Sequence, residues 1–196
     1  MLRPGDTGPE VLALQQKLLG LGYWLTAADG SYGVTTQQAV LALQKAAGLG
    51  RDGVAGPATM AALAHGVKPS PRSTSGHVIE IDKNRQLLLV VTNGHLDETI
   101  ATSTGSYAPY TSQGQQYIAA TPNGQFTIFR QVDGVDPGPL GSLYRPKYFN
   151  GGIAVHGYND VPAEPASHGC ARVSNPAIDF LWNSGAAPIG TAVWVY

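Results

Sequence analysis

His156-Gly-Tyr-Asn-Asp-Val-Pro-Ala-Glu-Pro-Ala-Ser-His-Gly-Cys-Ala-Arg-Val173 holds the only cysteine of the chain and two of its five histidines. Cys170 stands two positions after His168 and fourteen after His156 (170 − 156), in company with Gly157, Ser167, Gly169 and Arg172. A lone cysteine is usually a small buried hydrophobe. This one follows Ser-His-Gly and precedes Arg172, a polar, glycine-containing setting beyond the apolar run Ile153-Ala154-Val155. A free thiol has a pKa of about 8.5, so near neutrality it is only a few per cent thiolate unless an imidazole or a local dipole helps. Two candidate imidazoles lie close in sequence, which marks the stretch as the place to seek chemistry.

Around this stretch the pattern is that of strands. Residues 77–82, 86–92, 95–103, 126–132, 152–156 and 191–196 are β-rich, and Asn93-Gly94 is a strong hairpin signal. One helix interrupts them, with Asn175 as its cap, Pro176 in the first turn and Ile178, Leu181 and Trp182 at helical spacing, which predicts Trp182 in the core. Residues 133–150 are rich in Pro and Gly, and a loop of that length is usually functional or disordered.

The first sixty residues are different. Asp29-Gly-Ser-Tyr-Gly33-Val-Thr-Thr36-Gln-Gln-Ala39-Val40 echoes Asp52-Gly-Val-Ala-Gly56-Pro-Ala-Thr59-Met-Ala-Ala62-Leu63. Each copy reads as a turn followed by an amphipathic helix. Helices are predicted over 9–21, 35–47 and 57–64, burying Val11, Leu14, Leu18, Ala39, Val40, Leu43, Met60 and Leu63. A core of this size is modest, so docking on the second domain is expected to support it. Residues 65–76, with Pro, Ser and Gly in quantity, read as a linker. The fold class is therefore α+β: a small three-helix N-terminal domain over 1–64, a linker over 65–76 and a mostly β domain over 77–196.

Composition narrows the function classes. A hydrophobic fraction of 43% against 13% charged is globular, and a net charge of −1 gives no electrostatic case for nucleic acid or an anionic membrane. There is no run of about 18 apolar residues and hence no transmembrane segment. The single cysteine excludes an internal disulfide and a multi-cysteine zinc site.

At His156-Gly157 and Ser167-His168-Gly169-Cys170-Ala171-Arg172 the sequence resembles the L,D-transpeptidases, whose signature is a His-Gly followed after a variable loop by Ser-His-Gly-Cys-x-Arg. Ser103-Thr104-Gly105 and Thr121-Pro122-Asn123-Gly124-Gln125-Phe126 look like two further landmarks of that catalytic domain, and the resemblance runs from about Gly76 to the C-terminus. Residues 2–63, with Leu2, Gly5-Asp6, Gly8, Val11, Leu14-Gln15, Leu18 and Leu21-Gly22-Tyr23, are similar to the three-helix peptidoglycan-binding domain.

The resemblance implies an acyl transfer. Cys170 is the expected nucleophile, His156 the general acid and base, and His168 a supporting residue that shapes the loop or shares its hydrogen bonds. Gly169 is expected to let its own N–H and that of Cys170 face the oxyanion. Arg172 either binds a substrate carboxylate or ties the loop down. Ser167, Tyr144 and Tyr148 are grouped with the substrate-binding residues, the two tyrosines on a lid over the cleft. No carboxylate stands out as the group that orients the base, and a backbone carbonyl would serve.

The implied partners are peptidoglycan stem peptides in the cell wall, with carbapenem β-lactams as inhibitors and no cofactor. Transfer would cross-link the third residues of two stems and release D-Ala, while hydrolysis would make the site an L,D-carboxypeptidase. A substrate outside the cytoplasmic membrane implies an extracytoplasmic location and an export signal or anchor in the precursor. Met1-Leu-Arg-Pro-Gly is not such a signal, which reads the chain as a mature or trimmed form. Two other readings stand beside this one: a zinc site built from His156, Asp160, His168 and Cys170, and a wall-binding protein with a degenerate catalytic domain.

Overall fold

The computed structural model describes residues 1–196. Three helices come first: α1 (Pro9–Gly20), α2 (Val34–Ala47) and α3 (Pro57–Ala64). Pro9 and Pro57 open their helices where the missing N–H is not needed, and Gly48, at φ 66, closes α2 in the left-handed conformation. The sequence echo has a shared brace. Gln15 Nε2 donates to Asp29 and to Thr36 Oγ1, both at 2.9 Å. Gln44 Nε2 does the same for Asp52 at 2.7 Å and Thr59 at 3.1 Å. Each buried glutamine thus ties an Asp-Gly turn to the helix that follows it.

The strands are β1 (His77–Asp82), β2 (Leu87–Thr92), β3 (His95–Ala101), β4 (Pro109–Ser112), β5 (Gln115–Ile118), β6 (Gly124–Thr127), β7 (Arg130–Gln131), β8 (Val135–Asp136), β9 (Leu143–Asn150), β10 (Ile153–Tyr158), β11 (Ala171–Ser174) and β12 (Ala192–Val195), with α4 (Asn175–Asn183) before the last. One sheet has the order β3-β2-β1-β12-β6, the other β11-β10-β9-β7 with β8 also on β9, and β4-β5 is a separate hairpin. Between the two sheets and α4 lies a core that includes Ile79, Ile81, Leu88, Val90, Val155, Ala171, Val173, Ile178, Leu181 and Val193.

A second core lies on the opposite side of the first sheet. Leu87, Leu89, Val91 and Ala101 pack with Val11, Leu14, Leu18, Val40 and Leu43 of the helices. β2 therefore alternates between two cores, and residues 87–91 are all buried. The helical segment forms a third layer on the sheet, as the docking expectation required. The 65–76 segment is docked as well. Tyr23 donates to Val67 O, Ser73 Oγ donates to Glu80, and the Arg72 guanidinium lies 3.5 Å from the centre of the Tyr196 ring.

Several sequence expectations change. The strand read over 126–132 is two strands in different sheets, β6 and β7, broken at Ile128-Phe129. Residues 143–150, expected within a lid, form β9, the middle of the second sheet. Pro146 concealed it, because proline is normally kept out of central strands. Here the pairing is irregular at that point and Arg145, at φ 48, makes the bend. The cap of α4 is Ser174, not Asn175: its side chain accepts from Ala177 N–H. Trp182 is only partly buried, donating to Arg145 O at 2.9 Å beneath the Lys147 ammonium.

Candidate active site

β10 and β11 run parallel, with Val155 beside Ala171 and His156 beside Arg172. Val155, Ala171 and Val173 face the core between the sheets. Strand alternation then directs Ala154, His156, Cys170 and Arg172 to the other face. One sheet face thus carries the thiol and the imidazole fourteen residues apart in sequence.

Cys170 is free and half-buried at the mouth of β11. Its Sγ accepts from Ala154 N–H at 3.5 Å and lies 3.8 Å from Gly152 O, and no hydrogen bond joins it to His156. Burial pushes the thiol above its ordinary range, against the opposing pull of Ala154 N–H and the Arg172 charge. His156 is 3% exposed, and its Nδ1 lies 2.9 Å from Gly157 O. With Nδ1–H donating to that carbonyl, Nε2 keeps its lone pair free for a proton. Burial holds the imidazole down to about 4, so at neutral pH the pair is thiol and neutral imidazole. The orienting group is a backbone carbonyl, and no carboxylate takes that part.

The turn before Cys170 is held by its own side chains. Ser167 Oγ donates to Cys170 O at 2.6 Å and accepts from Gly169 N–H at 3.0 Å. Ser167, expected among the substrate-binding residues, has its hydroxyl engaged inside the loop, and Gly169 N–H, expected to face an oxyanion, is given to Ser167 Oγ. Cys170 N–H makes no bond within the chain and remains the local donor. Gly169 is needed for its shape: at φ +143, an added Cβ would also sit 2.9 Å from Ala120 O. Gly169→Ala should destabilise the protein by about 2 kcal/mol or more and cripple the site together, read by thermal melting and thiol labelling.

The upstream landmarks are the frame of this turn. Ser103 exchanges backbone bonds with Arg172, and Thr104 O accepts from both Ala166 and Ser167 N–H. Thr121 Oγ1 donates to Gly169 O at 2.6 Å and accepts from Gly105 N–H at 2.9 Å. A Cβ on Gly105 would meet Ala119 O, which explains the glycine.

The remaining expected residues are more dispersed. His168 is exposed and meets Tyr110 of β4 edge-on at 4.8 Å, without a hydrogen bond. Arg172 reaches Ala166 O at 3.3 Å and lies 4.2 Å over the Tyr158 ring, the arrangement of a loop tie. Tyr148 pairs with Ala154 across the strands, its hydroxyl on Asp136 and Arg130 over its ring. Tyr144 pairs with Gly157, a core-face position, bonds Asp179 of α4 and lines a polar cavity of about 460 Å³ with Tyr158, Asn159 and Asn175. Cys170 does not line that cavity. His156, Asp160, His168 and Cys170 do not gather as ligands, and no three His, Cys, Asp or Glu side chains group as a metal site.

The β4-β5 hairpin beside His168 escaped sequence reading. Its turn, Gln113-Gly114, has φ 51 and 77, the left-handed pair of a tight hairpin turn. Gln-Gly is a weaker signal than Asn-Gly, though it stands between Tyr110 and Tyr117, whose rings stack at 5.5 Å.

The two-sheet domain thus carries a thiol and a backbone-oriented imidazole on one sheet face. Residues 76–195 match the family model of the L,D-transpeptidase catalytic domain, and residues 7–63 that of the peptidoglycan binding domain. The chain belongs to the L,D-transpeptidase family and carries an N-terminal peptidoglycan-binding module. It is 54% identical to an L,D-transpeptidase of Xylanimonas cellulosilytica, with a TM-score of 0.96 over 99% of this chain and 96% of that one. An L,D-transpeptidase of Stackebrandtia nassauensis shares the fold at 24% identity, with a TM-score of 0.57 over 100% and 95% of the two chains. The N-acetylmuramoyl-L-alanine amidase CwlL of Bacillus licheniformis is 48% identical over 79 residues, 39% of this chain and 22% of the amidase. The chain thus spans about a fifth of the length of that curated relative.

Proposed function

We propose that the protein cross-links peptidoglycan stems between their third residues through a thioester on Cys170. The observation that carries this reading is the shared sheet face of Cys170 and His156, with Nδ1 of the histidine committed to Gly157 O. His156 Nε2 takes the thiol proton as sulfur attacks the carbonyl carbon of the donor's third residue, at its L centre. Cys170 N–H faces the oxygen that gains charge, and a well-placed donor of this kind is commonly worth about 3 kcal/mol. The carbon–nitrogen bond then breaks, and the histidine returns its proton to the amine of the departing D-Ala. A side-chain amine of a neighbouring stem attacks the thioester, gives a proton to His156 and releases the sulfur. Water in place of that amine would yield a tripeptide, an L,D-carboxypeptidase reaction.

The same thiol should open carbapenem β-lactams and keep them as a stable acyl group. The helical segment, similar to a module of wall amidases, would hold the enzyme on the extracytoplasmic wall. Incubation with a disaccharide-tetrapeptide, with and without an acceptor stem, distinguishes the outcomes by chromatography. Dimer with free D-Ala supports transfer, tripeptide alone supports hydrolysis, and neither product refutes the reading. Full-length Cys170→Ala should co-sediment with purified sacculi, and failure to do so would refute wall binding.

A further inference from the structure

We propose that the helical module is a working part of the catalytic site, with Lys45 and Arg51 as positioning residues that fix the loop presenting Cys170. The inference rests on the thiol chemistry proposed above and adds a role for a segment otherwise assigned to wall binding.

Lys45 lies on α2 and is 1% exposed, yet its Nζ has one hydrogen bond, 2.9 Å to Thr102 O. A buried amine is expensive unless it makes a bond that the fold needs. The bond leads directly to the site. Thr102 Oγ1 donates to Arg172 O at 2.7 Å, and the next residue, Ser103, pairs its backbone with Arg172, two positions beyond the nucleophile. Burial, helped by the nearby Arg51 charge, lowers Lys45 to about 7. Charged or neutral, Nζ still carries the N–H that Thr102 O needs.

The other arm of the loop is gripped from the same module. Arg51, just after α2, donates to Ala163 O at 3.3 Å and to the Glu164 carboxylate at 3.0 Å, and Gln38 reaches Val161 O at 3.4 Å. Glu164 O in turn accepts from Ser103 Oγ at 2.7 Å. The segment between the His156 strand and Cys170 is thus fastened on one side to residues 102–105 and on the other to α2 and its exit. Displacing either fastening moves the thiol relative to the imidazole, and misplacement of about 1 Å can lower a rate by about a hundredfold.

The test measures D-Ala release from a disaccharide-tetrapeptide by the full chain and by Lys45→Met, Arg51→Ala and Arg51→Lys, with thermal midpoints alongside. Lys45→Met leaves Thr102 O unpaired, so it should melt somewhat below wild type while staying folded at the assay temperature, and lose about tenfold in kcat with KM within about twofold. Arg51→Ala should lose several-fold and Arg51→Lys should recover most of it. A kcat within about twofold of wild type in both Lys45→Met and Arg51→Ala overturns the proposal. Should Lys45→Met fail to fold, the partly exposed Arg51 pair decides alone. If wild type releases no D-Ala, the enzymatic reading fails separately, and the rate of Cys170 alkylation by iodoacetamide decides. A changed rate in the folded variants supports positioning, and an unchanged one overturns it.

Discussion

Cys170→Ser lowers turnover of a tetrapeptide donor by about 10⁴-fold or more while leaving the fold in place. The loss is large because no second thiol exists and because serine is far harder to ionise beside a neutral imidazole. The fold survives because Sγ meets only Ala154 N–H and Gly152 O, and a serine hydroxyl can satisfy the same pair. Steady-state kinetics and circular dichroism on the purified variant check both halves. Turnover within about tenfold of wild type would remove Cys170 from the chemistry.

His156→Gln carries the second large effect, a fall in kcat of about 10²- to 10⁴-fold at pH 7, because the proton acceptor is gone. It also has a signature in stability. The folded imidazole is held down to about 4 by burial, whereas an unfolded histidine titrates near 6.5. Between those values the unfolded chain binds the extra proton, so stability falls as pH drops from about 6.5 toward 4. The amount is on the order of 3 kcal/mol, present above the unfolded value and lost through the folded one. Urea unfolding at pH 7 and pH 4.5 should show a smaller difference in His156→Gln than in wild type. An equal acid loss in both proteins would mean that His156 is not held neutral by the fold.

The legible parts of the sequence were those whose signal is local. The repeated Asp-Gly turn and the apolar spacing gave the three helices within a residue or so. Asn93-Gly94 gave the β2-β3 hairpin, and the Ser-His-Gly-Cys run marked the turn that carries the single thiol. What stayed hidden depends on contacts distant in sequence. Pro146 and the bend at Arg145 disguised a central strand as a loop, because a bulge lets proline into a ladder it would otherwise break. The role of Ser167 was hidden for a similar reason. Only the folded turn brings its hydroxyl to Cys170 O and Gly169 N–H. Lys45 carries no local signal of its role, and only the packing of α2 on the sheet shows where its amine goes.

Intact-protein mass spectrometry of wild type and Cys170→Ala, each incubated with a disaccharide-tetrapeptide, tests the thioester most directly. The account predicts that wild type gains the mass of the donor minus D-Ala, that the gain disappears when an acceptor stem is added, and that Cys170→Ala never acquires it. An adduct retained by Cys170→Ala, or dimer formed without any adduct in wild type, would contradict it.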